Sequence, residues 1–118
     1  MFRVIEDVKT NIHFSSHSVD RFDRKQLKQC KLDFEDILPI FEYHKSVDTD
    51  DSLVWAVQDY LKNGSSSIVI VIDKTFGISL VLNVYYDYVL DELNISIITI
   101  WDGKDIKIRF GQNIIHTK

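Results

Sequence analysis

A histidine and several basic residues recur at helical spacing near the start of the chain. His17 is followed by Arg21, Arg24 and Lys28, and a turn of about 100° per residue puts all four on one side of a helix. Cleavage of RNA through a 2′,3′-cyclic phosphate needs a group that titrates near neutral pH and fixed cations that hold the phosphorane. The stripe therefore predicts either such a site or a solvated helix face. In the first case His17 and Arg21 are catalytic residues, and Arg24 and Lys28 bind the phosphate.

A second pair of cations lies near the end of the chain. Lys107 and Arg109 alternate along a predicted strand, so they share one face of a sheet. An arginine can bind a phosphate through two hydrogen bonds, and Ser96 is expected directly across the strand from Arg109. We interpret Arg109 as a third catalytic residue, and Lys107 and Ser96 as RNA-binding residues. The alternative is an exposed edge strand that its charges protect from aggregation.

The middle of the chain is acidic, although both ends are basic. Residues 32–60 hold eight acidic side chains and one basic one, whereas residues 1–31 hold seven basic and four acidic ones. Asp48, Asp50 and Asp51 stand where a third helix would begin, so they are helix caps or an acidic patch that docks on a basic partner. The net charge of −4 weighs against a general nucleic-acid binder.

Composition limits the remaining functional classes. A chain of 118 residues, of which 45% are hydrophobic, can bury the core of one domain spanning residues 1–118. Cys30 is the single cysteine, and His13, His44 and His116 lack the spacing of metal ligands, so neither a metal nor a cofactor is expected. The acidic start of the chain does not resemble a signal peptide, and no apolar stretch is long enough for a membrane span. We expect a cytoplasmic protein.

The hydrophobic pattern predicts mainly helices in the first half of the chain. Two short edge strands, Phe2–Val8 and Asn11–Phe14, come first, and a helix from His17 to about Cys30 follows. A second helix after Asp33 would have the apolar face Phe34, Ile37, Leu38 and Phe41, with Pro39 kinking or shortening it. A third helix would carry Leu53, Val54, Val57, Tyr60 and Leu61, although a buried strand would also explain the start of this run.

The second half of the chain is rich in β-branched and aromatic residues. It predicts the strands Ser67–Asp73, Ile78–Tyr88, Ile95–Trp101 and Lys104–Phe110, the last two joined by a tight turn at Asp102-Gly103. This turn sets Ile97 opposite Ile108 and Ser96 opposite Arg109, with Ile95, Ile97 and Thr99 facing the helices. The predicted fold class is α+β, with N-terminal helices packed on one face of a four-stranded antiparallel meander sheet.

Short stretches of the chain resemble a known group of proteins. The segment Ile12-His13-Phe14-Ser15-Ser16-His17-Ser18-Val19-Asp20-Arg21-Phe22 looks like the start of small bacterial and phage proteins of the DUF4258 and BrnT-toxin type. Residues 33–38 are similar to their second helix, and residues 97–101 to their late strand. The resemblance implies a metal-independent ribonuclease related to barnase and RelE, with His17 and Arg21 in the helix motif and Lys107 and Arg109 as late-strand cations.

Two functions of different classes follow from the sequence. One is a metal-independent RNA-directed protein, a toxin-type endoribonuclease that needs no cofactor. The other is a non-enzymatic acidic protein-binding module, such as an immunity protein or phage inhibitor, whose Asp48, Asp50 and Asp51 block a basic protein partner. The first requires that the two basic strips converge in space, whereas the second requires only a contiguous acidic or apolar surface.

Overall fold

A computed structural model describes residues 2–15, 34–47, 50–63, 67–102 and 113–118. In this part of the chain two strands are followed by two helices and then by four further strands. The elements are β1 (Phe2–Ile5), β2 (Val8–Phe14), α1 (Phe34–Tyr43), α2 (Leu53–Asn63), β3 (Ile68–Asp73), β4 (Ile78–Asp87), β5 (Glu92–Asp102) and β6 (Asn113–His116). Two strands therefore precede the helices of an α+β fold. Among the described helices, none has the length and apolar character needed to cross a membrane.

The six strands form one mixed sheet in the order β1-β2-β5-β4-β3-β6. The β1–β2, β5–β4 and β4–β3 pairs are antiparallel, whereas β2–β5 and β3–β6 are parallel. The prediction of a four-stranded antiparallel meander is therefore wrong. Local hairpin signals favour pairing between neighbours in sequence, and they carry no information about parallel partners that lie far apart in the chain.

The predicted register of β5 is also wrong. Ser96 lies between Asn83 of β4 and His13 of β2, so both of its hydrogen-bonding edges are occupied. A strand residue has two such edges, and Ser96 therefore cannot pair with Arg109. Ile97, between Leu82 and Phe14, likewise cannot pair with Ile108. The predicted strand Lys104–Phe110 and its turn at Gly103 lie outside the described residues.

The first two strands form a hairpin rather than two separate edge strands. Ile5 pairs with Val8, and the two residues between them, Glu6 and Asp7, have φ values of 48° and 68°. Two consecutive positive φ values are those of a type I′ turn, whose twist matches that of the flanking strands. Asn-Gly is the usual sequence for such a turn, which is why Glu6-Asp7 gave no hairpin signal.

Both described helices pack on the same face of the sheet. The prediction of helices over Phe34–Phe41 and after Ser52 is confirmed, and Pro39 lies inside α1. The Tyr60 hydroxyl also donates a hydrogen bond to the Ile114 carbonyl at 2.8 Å, which ties α2 to β6. The apolar faces of the helices join buried side chains of the sheet in one core. Its largest members are Phe41, Ile12, Ile37, Ile40, Leu53, Ile78, Leu80, Leu82, Leu93, Ile95 and Ile97.

A bulge in β5 changes which of its residues face this core. Leu82 pairs with Ile97 and Val81 with Thr99, so Ile98 is an extra residue in the ladder. An extra residue reverses the alternation of side chains beyond it. Ile95 and Ile97 are buried as predicted, but Ile100, paired with Leu80, takes the inward position expected for Thr99.

Candidate functional site: an acidic end of the sheet

The parallel pairing of β2 with β5 brings two turns to the same end of the sheet. Thr10 lies beside Leu93, and Phe14 lies beside Ile97. Because the two strands run in the same direction, the turns that precede them, at residues 6–7 and 88–91, both lie where these strands begin. The turns lie far apart in the sequence, and this strand order makes them neighbours.

Carboxylates are concentrated in these two turns and in the strand residues next to them. Glu6, Asp7, Asp87, Asp91 and Glu92 form a set that we call the acidic end. Glu6, Asp7 and Asp91 are exposed, and the other two are partly buried. Residues 75–103 contain no lysine or arginine, so β4 and β5 bring no basic side chain to this set. Close like charges produce a negative potential that attracts a basic ligand.

The turn beside the acidic end presents large apolar side chains to solvent. Tyr88, Val89 and Leu90, which we call the exposed turn, are 88%, 92% and 57% exposed. Asp87 Oδ1 accepts hydrogen bonds from the backbone N–H groups of Val89 at 3.0 Å and Leu90 at 3.1 Å. These bonds fix the backbone while the side chains stay outside. A run of exposed apolar residues surrounded by polar groups is typical of a protein-binding surface.

A cavity of about 290 Å³ lies between α2 and the exposed turn. It is lined by Gln58, Leu61, Lys62, Tyr86, Tyr88 and Asp91. The rings of Tyr86 and Tyr88 lie 5.1 Å apart, tilted by 59°. The Tyr86 hydroxyl donates a hydrogen bond to the Asp91 carboxylate, and this bond raises the pKa of Tyr86, since the phenol must keep its proton to donate it.

One residue that lines the cavity, Gln58, has a buried acceptor without a donor among the described residues. The Gln58 side-chain oxygen is buried and has no hydrogen-bond partner in the described part of the chain. Most buried polar atoms in proteins are paired, and each one that is not calls for an explanation. The residues that line the cavity thus include two aromatic rings, one carboxylate, one lysine and an amide whose buried oxygen is unpaired within the described chain.

A buried carboxylate lies at the other end of β4. Asp73 is 0% exposed and pairs with Ile78, the first residue of β4. Its Oδ1 accepts hydrogen bonds from His44 Nδ1 at 2.6 Å and Thr117 Oγ1 at 2.7 Å, and its Oδ2 accepts one from the Phe76 N–H at 2.9 Å. Three donors satisfy a charge that would otherwise be costly to bury.

The same contacts orient the imidazole of His44. Because Asp73 accepts from Nδ1, the neutral ring carries its proton there and leaves Nε2 as an acceptor. The ring also stacks on Phe76, with centroids 5.5 Å apart. An imidazole held by a carboxylate is an arrangement that serves general acid–base catalysis. It serves equally to join α1, the β3–β4 turn and the last residues of the chain.

Most residues of the predicted RNA site lie outside the described part of the chain. These are His17, Arg21, Arg24, Lys28, Lys107 and Arg109. Ser96 is described, and it lies on the sheet face opposite the helices, in a row with His13 and Asn83. Among the described residues, no three His, Cys, Asp or Glu side chains converge as metal ligands would.

Of the predicted partner-binding aspartates, two are described and Asp48 is not. Asp50 and Asp51 are exposed. Asp50 forms an ion pair with Lys118, which lowers the pKa of its carboxyl group and partly offsets its charge. Of the two described aspartates of this predicted surface, Asp50 is therefore partly neutralised, and the partner-binding role of the surface stays a prediction.

The acidic end was not found from the sequence, although one signal for it was present. The absence of lysine and arginine from residues 75–103 marks β4 and β5 as acidic, but the contribution of Glu6 and Asp7 depends on the parallel β2–β5 pairing. The His44–Asp73 pair joins residues 29 positions apart, and no spacing rule connects them.

Comparison of the chain with protein-family models, curated proteins and solved structures finds no match. The resemblance to the BrnT-toxin type therefore stays a prediction, and the geometry of the described residues carries the functional argument.

Proposed function

We propose that this protein is a non-enzymatic binding module that docks on a basic protein through the acidic end and the exposed turn. The observation that carries the proposal is the parallel β2–β5 pairing, which sets the Glu6-Asp7 turn beside the turn at residues 88–91. Carboxylates and exposed apolar side chains thereby form one surface.

The two kinds of residue support different parts of binding. Carboxylates attract a basic partner over a distance and raise the rate of association. The apolar side chains of Tyr88, Val89 and Leu90 lose contact with water once the surfaces meet, and such central side chains usually supply most of the affinity. Of the acidic surfaces, we prefer this one to residues 48–51, because Asp50 is already paired with Lys118.

Affinity capture first isolates the partner, and titration with the purified partner then measures its affinity. The wild-type chain, the acidic-end variant Asp87→Asn/Asp91→Asn/Glu92→Gln and the variant Asp50→Asn/Asp51→Asn are each immobilised, and Glu35→Gln in the first turn of α1 is the matched control. Any basic protein that the wild type retains is then purified for calorimetric titration at low and high salt.

We expect the acidic-end variant to weaken binding by more than about tenfold, with a smaller salt dependence, and Glu35→Gln to bind as the wild type does. Replacing Val89 and Leu90 by serine should weaken binding without changing the salt dependence. The proposal is overturned if no basic protein distinguishes the acidic-end variant from the wild type. If only Asp50→Asn/Asp51→Asn loses binding, the interface lies at residues 48–51 and not at the acidic end.

A second function is favoured by the His44–Asp73 pair. We propose as the alternative a metal-independent, toxin-type endoribonuclease in which an oriented imidazole moves protons. His44 Nε2 takes the proton of the 2′-hydroxyl as that oxygen attacks phosphorus, and the resulting imidazolium gives a proton to the 5′-oxygen as its bond to phosphorus breaks. Lys45 and Lys74 adjoin His44 and Asp73 in sequence and are exposed, so they are the candidate cations for the phosphate, whereas Lys118 is paired with Asp50. The other candidate site for RNA cleavage is the one predicted from the sequence, which consists of His17, Arg21, Arg24, Lys28, Lys107, Arg109 and Ser96.

This alternative is tested by incubating mixed cellular RNA with the protein in EDTA. Cleavage that His44→Gln abolishes assigns the reaction to His44, whereas loss in His17→Ala alone assigns it to the basic stripe. Circular dichroism of both variants establishes that they are folded. RNA that stays intact at every protein concentration removes the enzymatic function.

A further inference from the structure

We infer that the cavity beside the exposed turn receives an arginine side chain of the basic partner. This inference rests on the proposed function and names the chemical group that the partner must present. The cavity, lined by residues of α2, the end of β4 and the β4–β5 turn, adjoins the acidic end. A side chain that enters it would anchor whatever the carboxylates attract.

The aromatic walls select a flat, weakly hydrated cation. Tyr86 and Tyr88 both line the cavity, with their rings tilted against each other. A guanidinium group stacks on a tyrosine ring and gains both cation–π and packing contacts. An ammonium group is compact and strongly hydrated, so it gains less from the same walls.

The hydrogen-bond acceptors of the cavity match the donors of a guanidinium group. Tyr86 donates to Asp91 Oδ1, and Oδ2 of the same carboxylate is the other acceptor. The Gln58 oxygen is buried and unpaired within the described residues. Guanidinium has five N–H donors in one plane, so it can donate to Asp91 while its face lies on a ring, and it has further donors for the Gln58 oxygen once that amide turns towards the cavity.

Lys62 also lines the cavity, and its charge opposes a cationic ligand. The residue is exposed, so its aliphatic stem can form part of the wall while the ammonium group extends into water. Removing this charge should strengthen the binding of a cation. A ligand with a negative charge would respond in the opposite way, so the sign of the Lys62 effect identifies the charge of the natural ligand.

The experiment is a titration with a capped tripeptide that has arginine at its centre. Its lysine counterpart and guanosine monophosphate are titrated in parallel, and binding is followed through the NMR signals of the Gln58 amide and the Tyr86 ring. We expect the arginine peptide to bind at least about fivefold more tightly than the lysine peptide. Gln58→Met and Asp91→Asn should weaken binding about tenfold, Lys62→Ala should strengthen it severalfold, and Glu35→Gln should leave it unchanged.

The outcomes separate this inference from the proposed function. If the purified partner depends on the acidic end but the arginine peptide does not bind, or binds equally well to Gln58→Met, the inference is wrong and the proposed function stands. If the peptide binds as expected but no basic protein depends on the acidic end, the cavity is a guanidinium site and the proposed function is wrong. Tighter binding of guanosine monophosphate, weakened by Lys62→Ala, would overturn the inference in favour of a nucleotide.

Discussion

His44 Nδ1 lies 2.6 Å from Oδ1 of Asp73, whose carboxylate is fully buried and also binds Thr117. These contacts connect the residue after α1, the last residue of β3 and the segment that follows β6. Backbone bonds reinforce them, since the Val47 N–H donates to the His116 carbonyl and the Thr117 N–H to the Ile72 carbonyl. Asp73 is thus the polar centre at which these three segments meet.

Replacing Asp73 with alanine should destabilise the protein by about 3 kcal/mol, because three buried or partly buried donors lose their acceptor. The free energy of unfolding is measured by urea denaturation, with Glu35→Gln as the control for loss of an exposed carboxylate. Asp73→Asn should also destabilise, since an amide replaces one acceptor oxygen by a donor. A change below about 0.5 kcal/mol in Asp73→Ala would show that the junction does not depend on these bonds.

Tyr86 should ionise at higher pH than an ordinary tyrosine, whose pKa is 10.0, because its hydroxyl donates to Asp91. A raised pKa means that the folded state keeps a proton that the unfolded state loses. The stabilisation from this pair is therefore complete below pH 10 and lost as the pH rises through the raised pKa.

This titration is read from the ultraviolet absorbance of tyrosinate. The chain has five tyrosines, so the contribution of Tyr86 is the difference between the wild type and Tyr86→Phe. The variant Asp91→Asn removes the carboxylate charge that Tyr86 contacts, so the pKa of Tyr86 should fall towards its ordinary value. An unchanged titration in Asp91→Asn would mean that the Asp91 carboxylate does not raise the pKa of Tyr86.

Replacing Asp7 in the Glu6-Asp7 turn by glycine, the usual residue at this turn position, should stabilise the fold and weaken binding. Both residues have positive φ. This backbone conformation costs a residue other than glycine about 1 kcal/mol or more in free energy. Asp7→Gly should therefore raise the free energy of unfolding by up to about 1 kcal/mol and, by removing a carboxylate from the acidic end, weaken binding of the proposed basic partner. Calorimetric melting and the partner titration measure the two effects. A variant that gains stability and keeps full affinity would exclude Asp7 from the interface.

Because of the bulge in β5, alanine substitutions at two adjacent isoleucines should lower the free energy of unfolding by very different amounts. Ile97 is fully buried opposite Leu82, whereas Ile98 is the extra residue and is only partly buried. Ile97→Ala should cost about 3 kcal/mol and Ile98→Ala about 1 kcal/mol or less. Urea denaturation of both variants gives the comparison. Equal costs would mean that the ladder is regular at this point.

The elements of the described chain could be predicted more completely than their arrangement. The apolar spacing of Ile37, Leu38 and Phe41, and the β-branched runs of β3 to β5, are local patterns with a direct physical cause. The partner of β5 is not local. Residues 10–14 pair with it across most of the chain, and the bulge at Ile98 moves Ile100 into the core against the simple alternation.

The candidate site could not be predicted for the same reason. Each turn alone has a few acidic residues, which are ordinary in loops. Only the strand order makes Glu6 and Asp7 neighbours of the residue 88–91 turn. Similarly, the burial of Asp73 depends on donors from three separate segments, and a sequence pattern does not report burial of a charged residue.

The strand order also has a consequence for how the molecule forms. β3, β4 and β5 follow one another through short turns, whereas the Asn11–Asn94 contact between β2 and β5 joins residues 83 positions apart. Contacts between distant residues form slowly, because the intervening chain must first lose conformational entropy. We therefore expect the three consecutive strands to assemble first and the N-terminal hairpin to join them late. An intermediate that lacks the hairpin has three of the five carboxylates of the acidic end, so the complete negatively charged surface exists only once this last step of folding is finished.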